Sequence, residues 1–188
     1  MRDWYWVRHG PTHRNVMLGW TDIPADLSDQ VALDRLNAHL PEFAVMISSD
    51  LVRATATADA IERGRDRLPH EPSLREMNFG DWEGRHHAEV EREDPDRIFA
   101  FWDDPGDVAP PGGESWNALS ARVCGWVDKQ SGNSPVIVVA HMGVILTQVQ
   151  RALGTSARAA FVHKIDNLSV THLAYDGEWQ VRAINHLP

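Results

Sequence analysis

Two short stretches decide the fold of this chain, WYWVRHG at residues 4–10 and VIVVAH at residues 136–141. Each is an apolar run, rich in aromatic or β-branched residues, that ends at a histidine. Such runs are typical of buried strands, and the second is typical of a central parallel strand. Ligands of open α/β sheets bind beyond the carboxyl ends of the strands. The two patterns therefore predict that His9 and His141 meet at one edge of a sheet.

The rest of the chain alternates helical and strand patterns around these two runs. Helices are predicted over about 29–40, 51–63, 114–129 and 143–153, and one or two more over 85–102, broken near Pro95. Ser28 and the Ser48-Ser49-Asp50 turn are predicted as N-caps. Strands are predicted over 45–47, 168–174 and 179–184, and the last two are joined by a turn at Asp176-Gly177. Residues 66–84 and 103–113 are expected to be irregular.

This order predicts a single domain covering residues 1–188. Its fold class is α/β, with three α/β/α layers. The central sheet is expected to be mostly parallel, with an antiparallel strand near the C-terminus.

Composition excludes several classes of function. The chain has 188 residues and a net charge of −9, which argues against a nucleic-acid or anionic-membrane partner. A single cysteine cannot form an internal disulfide or a four-thiolate zinc site. No apolar run approaches the ~20 residues of a membrane span, and residues 1–10 hold too short an apolar run for a signal peptide. We therefore expect a cytoplasmic protein, either a monomer or a homodimer.

Arginine and histidine at the predicted sheet edge point to a phosphate ligand. Arg8 precedes His9, and Arg53 lies on the first turn of the helix that follows the strand over 45–47. Guanidinium groups match phosphate oxygens in planar, bidentate geometry, and helix N-termini also favour anions. A neutral histidine can act as a nucleophile and form a covalent intermediate. The pattern indicates phosphoryl transfer, although no phosphate-loop motif of nucleotide kinases is present.

Four motifs resemble the signature of the histidine phosphatase superfamily, also called phosphoglycerate mutase-like. In chain order they are RHGPTHRN at 8–15, SSDLVRATATA at 48–58, LREMNFGDWEG at 74–84 and VVAHMG at 138–143. An Arg-His-Gly triplet alone is weak evidence, but four motifs in family order are strong evidence. Pro11 and Met142 depart from the usual family residues at the rim of the pocket. Leu18 stands where mutases often have a small hydroxyl residue, which weakens the mutase alternative.

The resemblance implies a role for each matching residue. His9 would be the phosphohistidine nucleophile, and Glu76 would be the general acid and then the base for the attacking water. The phosphoryl group would be bound by Arg8, Arg53 and His141, with secondary contacts from Asn15 and the backbone at Gly19. No metal and no cofactor are expected, and the partner would be a small phosphorylated substrate.

The subfamily is indicated by the segment GDWEGRHH at 80–87 together with GGES at 112–115. Both are most similar to the α-ribazole phosphatases, which makes α-ribazole phosphate a candidate substrate. The leading hypothesis is a metal-independent phosphatase acting on a small phosphomonoester. Three alternatives stay open: a phosphoglycerate mutase-type phosphotransferase, a non-catalytic phosphate-ligand sensor, and a metal-dependent phosphoesterase.

Several other residues near the motifs have competing interpretations. His86 and His87 are adjacent, so they chelate a metal poorly on a helix, and we interpret them as surface histidines. Glu83 is interpreted as a structural neighbour of Arg85. The tryptophans at 82, 102 and 116 are expected to pack under loops, with stacking on a substrate ring as the alternative.

Overall fold

A six-stranded sheet forms the centre of the computed structural model, which describes residues 1–188. The strands are β1 (Arg2–Arg8), β2 (Val45–Ser48), β3 (Asp66–Arg67), β4 (Val136–Ala140), β5 (Val170–Tyr175) and β6 (Trp179–His186). Their order across the sheet is β3-β2-β4-β1-β5-β6. The first four in that order are mutually parallel, while β5 is antiparallel to β1 and β6 to β5. The predicted α/β class and mostly parallel sheet are confirmed.

Seven helices connect or follow these strands. They are α1 (Gln30–His39), α2 (Val52–Ala60), α3 (His87–Glu93), α4 (Pro95–Asp103), α5 (Trp116–Val127), α6 (Met142–Leu153) and α7 (Ala157–Ala160). Pro95 separates α3 from α4 as predicted, and Gly154 ends α6 in the left-handed conformation (φ 60°). The irregular segment 66–84 also holds β3 and two 3₁₀ turns, at Pro72–Leu74 and Gly80–Trp82. None of the helices is long and apolar enough to cross a bilayer.

Both faces of the sheet are covered at its central strand β4. Successive residues of β4 point to opposite sides of the sheet, and all five are buried. Val136 and Val138 pack in a cluster of 26 buried residues that includes apolar side chains of α5 and α6. Ile137 and Val139 pack in a cluster of 12 on the other face, with residues of α1 and α2. This double coverage explains the uninterrupted apolar run of β4.

The helix caps differ from the predicted ones. The cap of α1 is Asp29, whose carboxylate accepts the N–H of Ala32 at 3.0 Å, and not Ser28. The N-cap position of α2 is Leu51, so the Ser48–Asp50 prediction was wrong. The Val52 N–H at the start of α2 donates instead to Asp22, at 2.7 Å. A local pattern could not predict this cap, because Asp22 lies 30 residues away in sequence.

Candidate active site

The carboxyl ends of β1 and β4 bring the two predicted histidines together. Arg8 pairs with Ala140 in the parallel register, so the chain leaves both strands at the same level. The rings of His9 and His141 are 5.1 Å apart between centroids, and both residues are buried. A cavity of about 260 Å³ lies here, and Arg8, His9, Asn15 and Glu76 are among the residues that line it.

The tautomer of His9 is fixed by the backbone carbonyl of the next residue, Gly10. Its Nδ1 lies 2.7 Å from the carbonyl oxygen of Gly10, which can only accept a hydrogen bond, so Nδ1 carries the proton. Burial, together with the positive charges of Arg53 and Arg8, lowers the pKa of His9 to about 3. The ring is therefore neutral near pH 7, and Nε2 holds a lone pair that can attack phosphorus.

His141 is fully buried, and neither of its ring nitrogens has a hydrogen-bond partner within the protein. Burial, then the nearby His9 and Arg53, holds its pKa well below the usual value. A neutral imidazole still has one N–H to donate. His141 can therefore contribute a hydrogen bond to a phosphate oxygen without adding a charge that repels the arginines.

Two guanidinium groups bring positive charge to the site. The Arg53 side chain is fully buried and donates to the carbonyl oxygens of Thr21 (2.9 Å) and Gly19 (2.6 Å). Arg8 is half-buried and donates to the carbonyl oxygen of Ile165 at 2.6 Å. Burial lowers the pKa of both arginines, while the charge of Glu76 opposes the shift. Both side chains are oriented by neutral carbonyl groups, so their charge remains available to an anion.

Glu76 is the buried carboxyl group of the site. One of its oxygens accepts the N–H of Gly143 at 3.0 Å, and the other accepts the N–H of Met77 at 2.9 Å. Burial raises the pKa of Glu76, although these two N–H groups and the arginines oppose the rise. A carboxyl with a raised pKa can hold a proton and deliver it to a leaving oxygen.

Gly143 permits the contact between Glu76 and the first turn of α6. A Cβ atom at this position would lie only 2.4 Å from Oε1 of Glu76. Any other residue would therefore displace the carboxyl group, which explains in steric terms the glycine that follows His141-Met142 in the fourth motif.

The two predicted secondary contacts occupy different positions. Asn15 is exposed and lines the cavity. Gly19 is buried, and its N–H donates to Glu83 at 3.1 Å while its carbonyl accepts from Arg53. Gly19 therefore touches the site through Arg53, and direct phosphate binding by its backbone stays a prediction.

The prediction that Glu83 is a structural neighbour of Arg85 was wrong. Arg85 pairs with Glu93 at 2.6 Å, not with Glu83. The Glu83 carboxylate accepts backbone N–H bonds at 2.7–3.2 Å, and the donors are Gly19, Trp20, Thr21 and Phe79. It thus anchors the loop whose carbonyls hold Arg53. Nothing local in the sequence signals this anchoring role of Glu83. Three of the four donors lie more than 60 residues upstream, and only Phe79 is near in sequence.

Other residues that orient the site also lacked an assigned role. The hydroxyl of Thr57 accepts the Gly10 N–H at 3.0 Å and donates to the Arg53 carbonyl at 2.6 Å, which joins the first two motifs. The indole N–H of Trp20 donates to the Glu76 carbonyl at 2.8 Å. Thr57 stands within the second motif, which was an available signal.

Residues from several segments form the rim of the cavity. Phe79, Trp102, Met142, Arg14 and His87 line it. His86 and His87 are both exposed, as interpreted from the sequence. The tryptophans at 82 and 116 are buried in the core, whereas Trp102 reaches the cavity. No three histidine, cysteine, aspartate or glutamate side chains are arranged to hold a metal ion.

Comparisons with known proteins agree with the four motifs. The model of the histidine phosphatase superfamily (branch 1) matches residues 4–186. An adenosylcobalamin/alpha-ribazole phosphatase of Salmonella typhimurium is 33% identical over 176 residues, covering 88% of this chain and 86% of that protein. A glucosyl-3-phosphoglycerate phosphatase of Mycolicibacterium vanbaalenii is 34% identical over 168 residues, covering 79% of this chain and 72% of that protein.

A solved structure extends the likeness to three dimensions. The crystal structure of the alpha-ribazole phosphatase from Shigella flexneri superposes with a TM-score of 0.84 at 27% identity, covering 98% of this chain and 96% of that one. The chain belongs to the histidine phosphatase superfamily, branch 1.

Proposed function

We propose that this protein is a phosphatase that hydrolyses a small phosphomonoester, without a metal ion, through a phosphohistidine at His9. The observation that carries the proposal is the state of His9. It is buried, neutral and bonded through Nδ1 to the Gly10 carbonyl, so that Nε2 is its nucleophilic atom. The phosphatase names of the relatives support the same reaction class.

In the first step, Nε2 of His9 attacks phosphorus and the bond to the ester oxygen breaks. The departing oxygen takes the proton held by Glu76, so an alcohol leaves and Glu76 becomes a carboxylate. Arg8, Arg53 and His141 bind the three non-bridging oxygens, where charge concentrates in the transition state. The raised pKa of Glu76 supports this role, because the acid must be protonated when substrate binds.

In the second step, Glu76 takes a proton from water while the water oxygen attacks phosphorus. The P–N bond breaks, inorganic phosphate leaves, and His9 returns to its neutral form. The same carboxyl therefore serves as acid and then as base, as it must when the two steps are near mirror images. The arginines stay in place throughout because carbonyl groups, and not the substrate, orient them.

For the substrate, we propose α-ribazole phosphate as the first candidate. The similarity of residues 80–87 and 112–115 to that subfamily supports it, as do the names of relatives at 33% and 32% identity. The glucosyl-3-phosphoglycerate phosphatases match with similar identity over less of the chain, which makes an acidic sugar phosphate the second candidate.

The test is a phosphomonoester panel that includes α-ribazole phosphate and glucosyl-3-phosphoglycerate, run in excess EDTA with wild type and His9→Ala. We expect release of phosphate by wild type only, and a phosphoenzyme that is labile in acid and stable in base. An unchanged rate for His9→Ala would refute the nucleophile. Loss of activity in EDTA, restored by metal, would favour a metal-dependent esterase.

The same panel separates the remaining alternatives. A mutase would move the phosphoryl group between positions of one substrate and release little phosphate. A sensor would bind phosphate analogues and release none from any ester. Either outcome would contradict the proposed function.

A further inference from the structure

We propose that the outer half of the catalytic cavity binds a flat aromatic ring on the alcohol part of the substrate, with Trp102 as the specificity-determining residue. This rests on the proposed function, since it names the class of phosphomonoester that the same site would select.

Apolar side chains form nearly half of the cavity lining. Six of the 13 residues that line the cavity are hydrophobic, and they are Val16, Met17, Leu18, Phe79, Trp102 and Met142. Three of these, Phe79, Trp102 and Met142, come from separate segments: the third motif, α4 and the first turn of α6. Trp102 and Met142 are only half-buried, so they keep apolar surface that a ligand could cover.

Trp102 is held as a rigid platform. Its ring meets Phe101 edge-on at 4.8 Å between centroids and Phe161 edge-on at 6.0 Å, while Phe79 lies tilted at 6.2 Å. Its indole nitrogen is buried without a hydrogen-bond partner, so aromatic packing alone orients the ring. A platform that is already fixed costs little entropy when a flat ligand covers it.

Outside the proposed catalytic groups, the rest of the cavity lining is polar but poor in fixed positive charge. Thr12, Asn15, Arg14 and His87 line it, and of these Asn15, Arg14 and His87 are exposed. His87 lies 3.6 Å from Glu91, which partly offsets any charge it carries. An exposed arginine binds a second anion weakly because water screens it. A neutral alcohol that carries a ring and hydroxyl groups therefore matches this lining better than an acidic one.

The test compares three phosphates of primary alcohols, so that leaving-group chemistry stays similar: benzyl, cyclohexylmethyl and ethyl phosphate. Wild type, Trp102→Leu and the control Phe99→Leu are assayed. Phe99 lies on the same helix α4, is 44% exposed and does not line the cavity. We expect wild type to prefer benzyl phosphate over both others in kcat/KM. Trp102→Leu should lower kcat/KM about tenfold for benzyl phosphate and less than twofold for ethyl phosphate.

Three results would overturn the ring site. These are an equal fall for all three esters in Trp102→Leu, a similar selective fall in Phe99→Leu, and equal use of the benzyl and cyclohexylmethyl esters by wild type. The first would make Trp102 a structural residue, and the last would make the wall apolar without aromatic preference.

A binding experiment separates this inference from the proposed function. Benzylphosphonate and ethylphosphonate cannot be hydrolysed, and their affinities are measured by calorimetry. Tighter binding of benzylphosphonate that is lost in Trp102→Leu supports the ring site even if no ester is turned over, in which case only the proposed function fails. Equal affinities for the two phosphonates overturn the ring site, whatever the rate of hydrolysis.

Discussion

The replacement Glu83→Gln tests whether the loop that holds Arg53 is ordered from a distance. Glu83 contacts neither histidine; its carboxylate accepts four backbone N–H groups and the hydroxyl of Thr21. That loop in turn presents the carbonyls of Gly19 and Thr21 to Arg53. Glutamine keeps the shape of the side chain but has one acceptor oxygen and no charge. We expect Arg53 to lose its fixed position while the fold persists.

The magnitude follows from the hydrogen bonds lost. If the amide nitrogen replaces Oε1, the N–H groups of Trp20 (2.7 Å) and Phe79 (3.1 Å) lose their acceptor. Bonds to a charged acceptor contribute about 1.5–3 kcal/mol each when buried, and about 1 kcal/mol is reasonable here because the loop is partly exposed. The loss of about 2 kcal/mol sets an upper limit of roughly 30-fold in kcat/KM if all of it reaches Arg53. We expect about tenfold.

The assay measures kcat and KM with the best ester of the panel, the inhibition constant of inorganic phosphate, and the melting temperature. Glu93→Gln is the matched control, because Glu93 is 65% exposed and pairs only with Arg85. We expect kcat to fall and phosphate to bind more weakly in Glu83→Gln, with both unchanged in the control. A Glu83→Gln enzyme within twofold of wild type in kcat/KM and in phosphate affinity would refute the reasoning.

Three further perturbations address the proposed catalytic groups. Glu76→Gln should give a stoichiometric burst of 4-nitrophenol from 4-nitrophenyl phosphate, followed by slow turnover. This leaving group needs no acid, but the attacking water still needs a base. Full steady-state turnover would contradict the role of Glu76. Gly143→Ala should lower kcat for alkyl phosphates about tenfold, because the added Cβ would lie 2.4 Å from Oε1 of Glu76. An unchanged kcat would contradict this steric argument. The free energy of unfolding should fall as the pH drops below about 6.5. In that range a histidine of the unfolded chain binds a proton, whereas His9 in the folded protein stays neutral because its pKa is lowered to about 3. The melting temperature of His9→Asn should fall less with pH than that of wild type, and equal falls would contradict His9 as the cause.

The sequence predicted the parts of the site that depend on local pattern. An apolar run followed by histidine identified both β1 and β4, and the parallel pairing of Arg8 with Ala140 then brings His9 and His141 within 5.1 Å. Helix bounds were accurate to a few residues where a proline or glycine ends the helix, as at Gly154. In these cases a few neighbouring residues carry the physical cause.

The parts that sequence could not predict are contacts across long separations. Asp22 caps α2 from 30 residues upstream, and the Asp50 that was predicted for this role instead pairs with Arg75 at 2.6 Å. Glu83 was likewise placed beside Arg85, because the adjacent charge was the only partner visible in sequence. Carboxylates have several possible partners, and the tertiary fold selects among them by burial. Local charge patterns therefore indicate that an ion pair is possible and not which one forms.

The choice of partners also explains how a chain with a net charge of −9 can hold an anion. Arginines outside the site, such as Arg75 and Arg122, pair with carboxylates at 2.6–2.7 Å. Arg8 and Arg53 donate instead to backbone carbonyls, which orient a guanidinium without neutralising it. The buried carboxyl of Glu76, which interacts with both charges, has a raised pKa and so favours its neutral form. Burial of these two cations costs desolvation energy, and under the proposed function a bound phosphoryl group is the partner that offsets it. Arg8 and Arg53 therefore keep their positive charge at the cavity, and surface charges more than about 8 Å away are largely screened at physiological salt.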